Sequence, residues 1–200
     1  MQRKMQARLA SLPRTQASFI EPMECLSVSR LPEGGPWIWE IKLDGHRALA
    51  VKSPTGLTLF SRNGKSLNRQ FPYIMEALAD LLKGTVVDGE VVAIDDSGRP
   101  NFNLLQNFRA EASRIQYYVF DLLCWKDRDL TRLPLIERRM LLKALLVVND
   151  RRIRATELFA SSNLCVMCAP LTLYQEVGPL YRTRIYNSAR KGSAAGRYNA

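Results

Sequence analysis

The stretch from residue 37 to residue 64 constrains the fold most, because it alternates short apolar runs with residues that favour tight turns. The runs cover residues 37–43, 47–52 and 57–62, and the turn-forming stretches are Asp44-Gly45, residues 53–56 and Asn63-Gly64. Runs of this length, punctuated by Asp-Gly and Asn-Gly pairs, are typical of antiparallel strands joined by hairpins. The sequence therefore predicts a β-meander in this region.

Downstream of the meander, helical and strand patterns follow one another. Helices are predicted at residues 71–82, 102–110 and 134–146, and strands at residues 85–95 and 115–123. Gly84 is a typical residue just past a helix end, and Pro134 suits the first turn of a helix. Antiparallel strands mixed with helices predict an α+β fold.

Charge is distributed unevenly along the chain. The net charge is +10, and residues 151–200 supply +6 of it, with eight Lys or Arg against two acidic residues. A basic excess favours nucleic acid as a partner, but its concentration in the last quarter weakens that argument.

Residues 1–18 are interpreted as a flexible basic arm. A domain boundary is predicted near residue 150, because residues 147–200 lose any sustained period.

Composition excludes several classes of protein. With 46% hydrophobic and 24% charged residues, and no apolar run near the roughly 18 residues of a membrane span, we expect no membrane insertion and a cytoplasmic location. Four cysteines are too few and too irregular for a disulfide scaffold. Cys165 and Cys168 have metal-knuckle spacing, but the chain contains no second such pair, so zinc is not expected.

The segment Glu40 to Arg47 reads E-I-K-L-D-G-H-R and carries the strongest candidate site. Glu40 and Lys42 lie two apart in a predicted strand, so their side chains leave the same face. Arg47 opens the returning strand and can reach the same ligand. The alternative is an exposed hairpin in which Asp44-Gly45 only makes the turn.

Three further blocks follow in order: S-R-N-G-K at 61–65, V-D-G-E-V-V-A-I-D at 87–95 and Y-Y-V-F-D-L-L at 117–123. With K-L-D-G-H-R, this series resembles the adenylation domain of ATP-dependent DNA ligases, most closely the bacterial end-joining type, over residues 19–146. The resemblance implies an antiparallel-sheet nucleotidyltransferase (ATP-grasp-like) fold. It also implies self-adenylation of a lysine, AMP transfer to a 5′-phosphate and sealing of nicked or broken duplex DNA in repair.

The resemblance assigns a role to each matching residue. Lys42 is the nucleophile that attacks the α-phosphate of ATP, so its amine, with an ordinary pKa of about 10.4, has to lose a proton. Arg47 and Arg62 contact the nucleotide, Arg62 near the ribose and later the nicked end. The resemblance also implies that Glu40 lies at the adenine edge and that Phe120 stacks on the purine. Glu90 is implied to lie near the ribose and the Mg²⁺ (or Mn²⁺) ion.

The resemblance ends near residue 146. Family members continue with an E-G-x-x-x-K block, a strand with two phosphate-binding lysines and an OB-fold domain, none of which is recognisable in residues 147–200. The domain is therefore expected to be incomplete at its C-terminal end, with a frameshifted basic tail and impaired activity. Two alternatives stay open: an inactive nucleotide- or DNA-binding remnant, and a nucleotidyltransferase of the RNA-ligase or mRNA-capping type. End-joining proteins are expected partners of an active ligase.

Overall fold

The computed structural model of the chain describes residues 2–23, 25–28, 37–41, 43–106, 114–145, 150–156, 171–175 and 184–187. Within these ranges the helices are α1 (Gln2–Ser11), α2 (Pro72–Ala77), α3 (Phe102–Gln106) and α4 (Leu135–Leu145). The strands are β1 (Cys25–Val28), β2 (Trp37–Ile41), β3 (His46–Ser53), β4 (Gly56–Ser61), β5 (Thr85–Ala93), β6 (Ile115–Trp125), β7 (Arg128–Asp129), β8 (Ile153–Ala155), β9 (Leu171–Gln175) and β10 (Arg184–Asn187).

The strands form two sheets. The central sheet has the order β4-β3-β5-β6-β7, with β8 added parallel to β6. The second sheet has the order β1-β10-β9-β2. Neighbouring strands are antiparallel except in the β1–β10 and β6–β8 pairs. The predicted α+β class, built mainly on antiparallel pairing, is confirmed.

The central sheet is buried on both faces, as the alternation along β3 shows. Ala48 and Ala50 belong to the larger core cluster, which includes Ile74 of α2. Leu49 and Val51 belong to a smaller cluster on the other face, which Ala17 of the N-terminal segment joins. Because side chains alternate between faces, a strand covered on both sides reads as a nearly continuous apolar run.

Helix α1 and a segment bonded to the β6–β7 turn lie within residues 1–18, the stretch interpreted as a flexible basic arm. The Thr15 N–H donates to the carbonyl of Asp127 at 3.0 Å, and the Arg128 guanidinium donates to the carbonyl of Leu12 at 2.8 Å. This attachment depends on residues more than a hundred positions away, which no local pattern reveals.

The predicted meander is correct for β3 and β4 and wrong for β2. Strand β2 pairs with β9 in the second sheet, so Asp44-Gly45 does not close a hairpin. A Cβ atom on Gly45 would lie 2.2 Å from the carbonyl oxygen of Val91. Gly45 is therefore required by the close approach of the chain to β5 at the point where it passes between the sheets.

The helix predicted for residues 71–82 is shorter than expected. Helix α2 ends at Ala77, and the N–H groups of Ala79 and Leu81 donate to carbonyls three residues back, each at 3.0 Å. Such tighter turns are common at helix ends. They keep Leu81 buried while the chain turns towards Gly84, whose φ of 75° requires glycine.

No helix within the described ranges is both long and apolar enough to cross a bilayer.

Candidate active site

Two predicted site residues, Arg47 and Glu90, lie directly opposite each other on β3 and β5. Glu90 in turn lies opposite Tyr118 on β6. Residues in direct register on neighbouring strands present their side chains on the same face of the sheet. The central sheet therefore brings Arg47 and Glu90 together on one face.

A buried carboxylate that the sequence analysis did not single out holds Arg47 in place. The Arg47 Nε and Nη2 atoms donate to the two carboxylate oxygens of Asp88 at 2.6 and 2.5 Å. The Asp88 side chain is only 1% exposed and that of Arg47 14%. A two-point pair of this kind fixes both the position and the plane of a guanidinium.

The oriented guanidinium faces an aromatic ring. Its central carbon lies 4.7 Å from the ring centroid of Phe120, within the range of a cation–π contact. Phe120 as a whole residue is 6% exposed. Strands β3, β5 and β6 thus each supply one part of a cluster formed by Arg47, Asp88 and Phe120.

The position of Phe120 depends on an irregularity in the β5–β6 pairing. Asp88 lies opposite Asp121, but Gly89 lies opposite Val119, so Phe120 has no opposite residue on β5. An extra residue of this kind redirects the side chain that it carries. At Gly89 a Cβ atom would lie 2.4 Å from the Tyr118 carbonyl oxygen, so the irregular pairing needs glycine there.

Glu40 lies on β2 of the second sheet and is 2% exposed. Its Oε1 atom accepts a hydrogen bond from the Thr156 hydroxyl and lies 3.2 Å from Nη2 of Arg139. The same arginine donates to the backbone carbonyl of Phe120. Arg139 on α4 therefore connects two predicted site residues that are 80 positions apart in sequence and belong to different sheets.

Arg62 is exposed and follows directly after β4. Since Ser61 pairs with Ala48, Arg62 lies near the end of β3 that carries Arg47. Lys42, the predicted nucleophile, lies outside the described residues, as do Cys165 and Cys168. The described residues on either side of Lys42 are Ile41, which ends β2, and Leu43.

No group of three or more His, Cys, Asp or Glu side chains that could hold a metal ion is found among the described residues. Asp88 bonds to Arg47, and Glu90 lies opposite Arg47 on the same face of the sheet. Mg²⁺ commonly binds through one or two carboxylates together with the phosphates of its ligand. Glu90 therefore fits as one carboxylate ligand of an ion that arrives with a phosphate-bearing ligand.

The sequence matches a known family over most of its length. The family model described as "ATP dependent DNA ligase domain" matches residues 20–167. The multifunctional non-homologous end joining protein LigD of Pseudomonas aeruginosa is 35% identical over 176 residues, covering 82% of this chain and 21% of that protein. DNA ligase C1 of Mycolicibacterium smegmatis is 39% identical over 135 residues, covering 60% of this chain and 39% of that protein.

Solved structures give the same result for the fold. A structure of mycobacterial DNA ligase D complexed with ATP and MES superposes with a TM-score of 0.69 at 25% identity, covering 84% of this chain and 60% of that chain. The ligase domain of LigD from M. tuberculosis superposes with a TM-score of 0.65, also at 25% identity, covering 82% and 60%. The nucleotidyltransferase fold expected from the motif order is thus confirmed. This chain spans 21% and 39% of the two curated relatives and 60% of each solved chain.

Proposed function

The chain belongs to the ATP-dependent DNA ligase family, and from this premise we propose that its central sheet binds ATP and that Lys42 becomes adenylated. The cluster of Arg47, Asp88 and Phe120 carries the proposal. It combines a fixed positive charge with a buried aromatic face, which are the two features that phosphate and purine recognition require. The solved structure of a related mycobacterial ligase contains ATP.

The first proposed step is attack by Lys42 Nζ on the α-phosphorus of ATP. A nitrogen–phosphorus bond forms as the bond from the α-phosphorus to the bridging oxygen breaks, and pyrophosphate leaves with the electron pair. The amine loses its protons to solvent. Apart from Lys42, the protein forms and breaks no covalent bonds in this step. Positioning of the reactants and stabilisation of charge therefore account for most of the rate enhancement.

Arg47 is proposed to bind the nucleotide phosphate or ribose region, with Arg62 acting near the ribose and then at the nicked end. A guanidinium whose orientation is fixed before the ligand arrives loses little further entropy on binding. Asp88 provides that fixation, since its two hydrogen bonds lock the Arg47 side chain. Asp88 therefore acts through Arg47 as a positioning residue.

The base is proposed to stack on Phe120, with Glu40 at the adenine edge and Glu90 near the ribose. Mg²⁺, held by Glu90 together with the phosphates, would neutralise negative charge that develops on the α-phosphate and on pyrophosphate. The other residues bind and orient the nucleotide. The proposed acceptor in the full reaction is the 5′-phosphate of nicked or broken duplex DNA, which the adjacent 3′-hydroxyl then attacks with release of AMP.

A substrate panel tests this function. The purified chain is incubated with nicked DNA plus ATP, nicked RNA plus ATP, and a capping acceptor plus GTP, each with Mg²⁺. Slow sealing of nicked DNA with ATP, impaired by the loss of the late motifs, and no product in the other two mixtures is the expected result. Sealing of RNA, or transfer of GMP, would assign the chain to the RNA-ligase or capping type instead. Binding of ATP without any covalent or sealed product would indicate a nucleotide-binding protein that does not ligate.

A further inference from the structure

Arg139 is buried where helix α4 meets both sheets. The residue is 2% exposed, although it carries a permanent charge. Its Nη2 atom lies 3.2 Å from Glu40 Oε1 and donates to the hydroxyl and carbonyl oxygens of Thr156 at 2.7 and 2.8 Å. Its Nη1 atom donates to the carbonyl of Phe120. One guanidinium thus connects β2, β6 and the end of β8.

We propose that Arg139 is a positioning residue that gives the site its preference for adenine over guanine, by fixing Glu40 and Phe120 relative to each other. The inference rests on the proposed nucleotide site. Adenine presents an amino donor at N6, where guanine presents the acceptor O6. A carboxylate accepts a hydrogen bond from the first and repels the second. Discrimination therefore depends on where the Glu40 carboxylate is held.

Only a side chain with several rigidly arranged donors can make these contacts together. Arginine has five N–H donors in a planar fork, whereas lysine presents a single ammonium group. The Glu40 carboxylate and the Phe120 carbonyl belong to different sheets, and Arg139 bonds to both at once. Without Arg139, no single group would bond to both Glu40 and Phe120. The distance between the Glu40 carboxylate and the Phe120 ring would then no longer be fixed.

The chain provides a matched comparison in the adjacent residue. Arg138 is also 2% exposed, and its Nε and Nη2 atoms donate to the two oxygens of Asp121, each at 2.8 Å. It also donates to the carbonyl of Leu133 at 2.7 Å. Removing either arginine leaves a buried carboxylate without its ion pair, so both changes should cost similar stability. Arg139 contacts Glu40, whereas Arg138 bonds to Asp121 and Leu133.

The experiment measures dissociation constants for ATP and GTP on the full chain in EDTA, so that no adduct forms. The variants are Arg139→Met, Arg139→Lys, Thr156→Val and the control Arg138→Met, each checked for folding by circular dichroism. Thr156→Val removes the hydroxyl that donates to Glu40 without removing a charge, so it keeps the test valid if Arg139→Met does not fold. The ratio of the two constants is the readout that a general loss of stability does not move.

We expect Arg139→Met to reduce the preference for ATP over GTP by about 10- to 100-fold, the range of a hydrogen bond to a charged group. Thr156→Val should reduce it in the same direction, Arg139→Lys should not restore it, and Arg138→Met should leave it unchanged. An unchanged ratio in Arg139→Met or, if that variant is unfolded, in Thr156→Val overturns the inference, as does an equal change in Arg138→Met. A wild-type chain that binds neither nucleotide overturns the proposed function itself.

Discussion

The buried pair of Asp88 and Arg47 provides the most stringent stability test. Replacing Asp88 with Asn keeps the size of the side chain but removes its charge and one of the two oxygens that accept from Arg47 at 2.6 and 2.5 Å. Breaking a buried pair by altering one partner costs about 3–5 kcal/mol. Because Arg47 remains 14% exposed and Asn keeps one acceptor, we expect about 3 kcal/mol for Asp88→Asn.

Chemical denaturation measures the change in the free energy of unfolding, and thermal unfolding provides a second measurement. For a chain of this size each kcal/mol lowers the thermal unfolding midpoint by about 2–4 °C, so Asp88→Asn should lower that midpoint by about 6–12 °C. ATP affinity should fall as well, because Arg47 loses the group that orients it over Phe120.

An exposed ion pair serves as the control. Arg8 and Glu137 lie 3.3 Å apart with side chains 56% and 39% exposed, and such pairs contribute about 0–1 kcal/mol. Glu137→Gln should therefore change stability by less than about 1 kcal/mol and leave ATP affinity unchanged. A loss below about 1 kcal/mol in Asp88→Asn would refute the reasoning, because it would mean that the buried pair contributes no more than the exposed one.

Two other predictions follow from the central sheet. Gly89→Ala should destabilise the fold by about 1–3 kcal/mol or more, since the added methyl would lie 2.4 Å from the Tyr118 carbonyl oxygen; a variant as stable as the wild type in urea would contradict that clash. Burial raises the pKa of the Cys124 thiol to about 11, so the stability that this thiol contributes is present below about pH 9 and declines as the pH rises towards 11. Site-resolved alkylation at pH 8 should leave Cys124 unmodified in the folded protein and modify it in denaturant, and rapid alkylation of the folded chain would contradict its burial.

Short-range sequence patterns correctly predicted the strands and turns that are formed by neighbouring residues. The β3–β4 hairpin and the strand containing Asp88 follow from alternation and turn residues, which act over a few positions. The partner of β2 is β9, more than 130 residues later in the chain, and strand pairing over such distances leaves no local signal. Asp44-Gly45 was therefore interpreted as a turn, when Gly45 serves a close contact with β5.

In the candidate site, too, some residues were predicted from the sequence and others were not. Motif order predicts roles for Arg47, Glu90 and Phe120, and these roles stay predictions; the sheet register brings Arg47 and Glu90 onto one face. Asp88 and Arg139 were missed because charged residues are normally assigned to the surface. A signal was present for Asp88, which lies within the apolar run of β5. Arg139 belongs to the charged run Glu137-Arg138-Arg139 of α4, which gives no such signal. The predicted boundary near residue 150 stays a prediction.

Covalent labelling tests the central proposal most directly. The purified chain is incubated with α-labelled ATP and Mg²⁺ and analysed by denaturing electrophoresis beside Lys42→Ala and Lys143→Ala, the second being an exposed lysine in the last turn of α4 that serves as a control. We expect label on the wild type and on Lys143→Ala, and none on Lys42→Ala. A folded wild-type chain that acquires no label, or a Lys42→Ala variant that acquires as much as the wild type, would contradict the assignment of Lys42 as the nucleophile.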